Sequence, residues 1–152
     1  MKRPITYALL MLCALTSVTA NAQNTAGEKP KLFASFPDRI NCSLSELSRT
    51  FTIAARQNAN LSFSDNFLFS GIVTSNVVKY ANLQTAVIRS PQFGDAIFVL
   101  SKIKETDGSF SYVGHIINKK YADGYELKKD ASGNYQLVKI ETGKVLQDCK
   151  QE

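Results

Sequence analysis

His115 is the only histidine in the chain, and a histidine acting as a catalytic base needs a nucleophile beside it. Its segment, Phe110 to Asn118, alternates as a strand does. His115 therefore shares a face with Val113 and Ile117, while Tyr112, Gly114 and Ile116 take the other. That apolar company predicts a partly buried histidine with a structural role. The Gly-x-Ser-x-Gly turn of serine hydrolases does not occur in the sequence. Paired carboxylates are the second chemistry to weigh. Asp123, Glu126 and Asp130 cluster, and glycoside hydrolysis needs two acids facing each other across a cleft. Here they alternate with Lys119, Lys120, Lys128 and Lys129, a pattern that predicts a solvated hairpin rim, and the chain has no tryptophan to form a sugar platform. The run from Asp130 to Asn134 lacks the alternating acids and closing glutamate of a calcium loop. The glycines form no phosphate-cradling pattern. No catalytic residue, metal or cofactor is assigned on these grounds.

Cysteine chemistry depends on the compartment. Lys2 and Arg3 precede an apolar run from Ile5 to Val18, and Ala20-Asn21-Ala22 supplies small residues for signal peptidase. Residues 1–22 are therefore expected to be a secretory signal cleaved after Ala22, with the protein secreted or periplasmic. The run is too short, and too broken by Thr16, Ser17 and Thr19, to match the roughly 20 apolar residues of a spanning helix. Cys13 lies inside the run after Leu12, which does not suit a lipoprotein site. No membrane span is expected after cleavage. Cys42 and Cys149 would then face an oxidising environment, and a disulfide between them is expected. Asn41-Cys42-Ser43 and Asn60-Leu61-Ser62 match glycosylation sequons.

The net charge of +5 falls to +3 once Lys2 and Arg3 are removed, leaving 16 basic residues against 13 acidic. That mild and intermixed charge speaks against a nucleic-acid partner. The residues best suited to recognition are tyrosines beside lysines, because tyrosine joins an apolar body to a polar tip. Lys119, Lys120, Tyr121 and Tyr125 form one such group, and Gln92 with Phe93 in the loop Ser90 to Asp95 forms a candidate protruding contact. Together these six are the candidate binding surface.

The elements that must position these residues are mostly strands. Residues 23–31 are polar and read as a flexible leader, followed by a single domain over 32–152. Leu32 to Phe36 is expected as an edge strand ended by Pro37. Ser43-Leu44-Ser45-Glu46 has the form of a capping box, and Leu44, Leu47, Phe51 and Ala54 continue at helical spacing, which predicts a helix from Ser43 to about Ala55. β-Branched Thr50, Thr52 and Ile53 weaken its second half. From Leu61 the period becomes 2, with strand segments at Phe67 to Val73, Val77 to Tyr80 and Leu83 to Arg89. Asp107-Gly108 and the turn Asp130 to Asn134 each predict a hairpin. Short connections favour an antiparallel order. The expected fold is therefore α+β, one N-terminal helix packed on a curled antiparallel meander of about six or seven strands. In outline this is similar to the cystatin arrangement, although the Gln-x-Val-x-Gly loop of cystatins does not occur.

By elimination, the expected function is a secreted or periplasmic, non-enzymatic module that binds another macromolecule, a protein or an envelope component, in the manner of an inhibitor. The alternatives are a small hydrolase with a pocket near His115 or Asp123 and Glu126, and a binder of envelope glycans.

Overall fold

The computed structural model describes residues 29–145. Its eight strands are β1 (Arg39–Cys42), β2 (Asn58–Ser64), β3 (Phe67–Tyr80), β4 (Leu83–Ser90), β5 (Ala96–Lys104), β6 (Phe110–Ile117), β7 (Asp123–Lys129) and β8 (Tyr135–Glu141). Consecutive strands from β2 to β8 pair as antiparallel neighbours, and β1 returns to pair with β8, Arg39 opposite Val138 and Cys42 opposite Tyr135. The two edges, β1 and β2, lie beside each other, so the sheet is nearly a closed barrel. Both hairpin turns expected from sequence are present. Gly108 and Gly133 take positive φ, and the Asp107 and Asp130 carboxylates accept backbone N–H bonds inside their own turns.

The interior is aromatic. Phe33, Phe67, Phe69, Phe98 and Tyr125 are fully buried, and the rings of Phe33 and Tyr125 meet edge to face at 5.1 Å. Burying each such ring stabilises the fold by about 1.5–3 kcal/mol. Curling the sheet around this core brings backbones close together. At Gly114 in β6, a Cβ would stand 2.5 Å from the Val99 carbonyl oxygen, so only glycine permits that approach.

Several expectations from sequence are corrected. Leu32 to Phe36 forms turns rather than a strand, and the edge strand lies instead at Arg39–Cys42. The turn segment crosses one mouth of the barrel. The Asp123 carboxylate accepts the Leu32 and Phe33 N–H groups at 2.6 and 2.9 Å, Ala122 N donates to the Pro30 carbonyl, and the Tyr125 hydroxyl donates to the Pro37 carbonyl at 2.6 Å. Phe33 thereby plugs that mouth.

The helix is also shorter than expected. α1 covers Leu44–Arg49 alone and passes into a 3₁₀ turn at Thr50–Thr52, where the β-branched residues begin. Ser43 caps it, accepting from Glu46 N at 3.2 Å. The Glu46 carboxylate does not complete the capping box. It pairs with Arg49 at 2.7 Å and accepts from Ser62 N, while Arg49 donates to the Asn60 carbonyl. These two side chains occupy the open edge of β2 and protect it from pairing with another chain. With Leu47 and Phe51 buried, α1 and its 3₁₀ turn close the second mouth. Eight strands, with the short α1 across one mouth, thus replace a long helix lying on six or seven strands. A short second helix, α2, follows β8 at Thr142–Val145. Val73 and Val77 belong to one 14-residue strand, β3, interrupted by a bulge between Val73 and Ser75.

Among the described residues Cys42 forms no disulfide, and its thiol is buried and pushed up by desolvation to about 12. Cys149 and the signal residues 1–22 lie outside the described residues.

Candidate functional site

The outward surface of the sheet is unusually aliphatic. Alternation in β4, β5 and β6 sends Ala86, Ile88, Phe98, Leu100, Tyr112 and Ile116 inward. It leaves Val87, Ile97, Val99, Val113 and Ile117 pointing outward, all of them half-buried or exposed. Ladder register aligns these residues into rows. Val87, Val99, His115, Glu126 and Val138 lie opposite one another across five strands. In the next row Arg89, Ile97, Ile117, Gly124 and Ile140 do the same. At Gly124 a Cβ would stand 2.5 Å from the Ile116 carbonyl oxygen, so β6 and β7 approach closely there.

Two adjoining depressions follow. The first, about 320 Å³, is lined by Val99, Val113, His115, Ile117, Glu126 and Ile140 among others. The second shares Val99 and Ile117 and continues toward Arg89, Asp95, Lys119 and Lys120. The result is one aliphatic furrow with a polar centre and a mainly basic end. Asn118 builds that end. It is buried, its amide donates to the Gly94 carbonyl at 2.6 Å, and its oxygen accepts from Lys120 N at 3.0 Å. The Lys119–Lys120 turn is therefore tied to the turn after β4.

His115 stands in the furrow as sequence alternation placed it, on the face of Val113 and Ile117, and that face is the outer one. Partial burial lowers its pKa, because the charged ring loses hydration, and the negative charge of Glu126 opposes the shift. Glu126 itself pairs with Lys128 at 3.0 Å. The hydroxyls nearby are engaged elsewhere: Ser101 with Thr85 Oγ1 at 3.0 Å, and Thr142 with the Tyr121 carbonyl at 2.8 Å. Among the described residues, these two hydroxyls thus pair with other groups rather than with the imidazole.

Other candidates separate. Asp123 and Glu126 do not share a cleft: Asp123 is buried at the start of β7 against the segment of Leu32 and Phe33 that crosses the mouth, and Glu126 faces outward. Tyr125 and Phe93 are corrected from surface to core. Tyr125 is fully buried with its hydroxyl pushed up to about 12 by desolvation. Phe93 turns inward from the 3₁₀ turn Pro91–Phe93 to stack on Phe69 at 5.7 Å. The loop Ser90 to Asp95 therefore plugs the barrel instead of protruding. Gln92, Lys119 and Lys120 remain exposed, and Tyr121 is half-buried with its hydroxyl beside Gly94. Val87, Ile97 and Ile140 were missed as surface residues. The available signal was that both faces of β4 to β6 carry aliphatic residues, which one buried face does not explain.

Comparison with protein-family models, with curated proteins and with solved structures finds no match.

Proposed function

We propose that this chain is an exported, non-enzymatic module that docks a protein partner on the outer face of β4 to β8. The observation that carries the reading is the furrow itself. Val87, Ile97, Val99, Val113, Ile117 and Ile140 are arranged outward on a sheet whose core is already complete. A contiguous outward apolar patch on a small domain marks an interaction surface. The basic end at Arg89, Lys119 and Lys120 selects the partner's polarity. The fitting segment carries aliphatic side chains along its length and an acidic residue at the end that meets the lysines. The signal pattern in residues 1–22 supports export, and the engaged hydroxyls support binding over hydrolysis.

Selection from a randomised peptide library against the exported protein tests this. Recovered peptides should pair aliphatic positions with an acidic end, and Ile117→Lys should abolish their binding without changing the melting temperature. A library that yields no binders, or binders indifferent to Ile117→Lys, would overturn the reading.

A further inference from the structure

At the opposite end of the barrel, β3 and β4 run on past the core. Val77, Val78, Lys79 and Tyr80 are all exposed, so the end of β3 is a ribbon tip open to solvent. Its inner side carries Val78 and Tyr80, each 69 % exposed, and β6 adds Phe110 at 49 %. These apolar groups line a shelf with Lys102 and Lys104, and Lys79 flanks Tyr80 in the chain. The Lys102 ammonium sits 5.0 Å from the centre of the Phe51 ring and 5.3 Å from that of Phe110, which fixes the charge at the base of the shelf. The shelf itself is lined by no acid. In the neighbouring turn, Asp107 binds Ser109 and Glu105 binds the Ser111 hydroxyl, so both carboxylates are held by their own hairpin.

We infer that this projecting tip is a peripheral membrane contact for anionic lipid. A tip bearing a valine and two aromatic rings suits the boundary between headgroups and acyl chains, where an amphipathic tyrosine keeps its hydroxyl wet. Three lysines around it match the negative charge of the headgroups, each strengthening binding by about fivefold. A projecting ribbon reaches into such a boundary, while the furrow lies on the flank of the barrel and stays free for its own partner.

The chain has no tryptophan, so Tyr80→Trp installs a single emission probe at the tip. With the exported protein, vesicles of phosphatidylcholine and phosphatidylglycerol should shift that emission to the blue and carry the protein in flotation. Vesicles of phosphatidylcholine alone should do neither. In the Tyr80 protein, Lys79→Glu with Lys104→Glu should weaken flotation at least about tenfold. Val78→Ser with Tyr80→Ser should abolish it at raised salt, with the melting temperature kept because these side chains pack little. The inference fails if anionic vesicles do not bind, or if binding survives Val78→Ser with Tyr80→Ser and so reflects surface charge alone. It fails equally if only a soluble polyanion such as polyglutamate is bound.

Discussion

Removing the Phe33 ring tests how the barrel mouth is closed. Phe33 is fully buried among Phe36, Phe67, Phe93 and Tyr125, so Phe33→Ala should cost about 3–5 kcal/mol. Asp123 holds the same segment by its backbone, through two charge-assisted bonds to Leu32 N and Phe33 N. Asp123→Asn keeps one acceptor and turns an amide donor toward an N–H, a cost of about 1.5–3 kcal/mol. If the two effects were independent they would sum to about 4.5–8 kcal/mol, comparable to the whole stability of about 5–15 kcal/mol expected for a small domain. They should not be independent. Once the ring is gone the strap detaches, Asp123 is hydrated, and its substitution loses most of its effect. The expected coupling is about 1–3 kcal/mol in the sub-additive sense. Urea unfolding followed by circular dichroism reads it directly. With a slope of about 2 kcal/mol per molar, Phe33→Ala lowers the midpoint by roughly 2 M. The slope itself should fall, because the detached strap is already solvated in the folded state. Additivity within about 0.5 kcal/mol, with an unchanged slope, would refute the strap as a cooperative closure.

Alkaline stability follows from two buried acids. Cys42 is raised from 9.0 to about 12, and Tyr125 from 10.0 to about 12, so the unfolded chain loses both protons first. Their contribution is complete below about pH 9 and is lost as pH climbs toward 12, which thermal melts across that window will show; a flat profile would contradict the assignment. Cys42 should also resist alkylation in the folded protein and react once denaturant is added, and rapid native labelling would contradict its burial. His115 has the opposite sign. Its folded pKa is lowered below 6.5, so its contribution is present above that pH and lost on acidification, and its imidazole resonances should titrate below 6.5. Gly114→Ala should destabilise more than Gly133→Ala, because at Gly114 the added carbon meets the Val99 carbonyl while at Gly133 it pays only for a φ of 87°. Comparing the two melting temperatures checks the order.

The sequence alone determined what depends on near neighbours in the chain. Alternation located β6 and set Val113, His115 and Ile117 on one face, and the Asp107-Gly108 pair located its turn. Ser43 marked the helix start, and Thr50, Thr52 and Ile53 marked where its regular turns give way. Only the tertiary structure decided which face lies inside. A period of 2 says that two faces differ, and β4 to β6 carry aliphatic residues on both, so polarity could not rank them. Closure was equally hidden, because pairing Arg39 with Val138 joins residues that no local pattern links. The nearly closed sheet has two mouths, and closing them drew Phe33, Phe93 and Tyr125 inward, where burial removes their apolar rings from water.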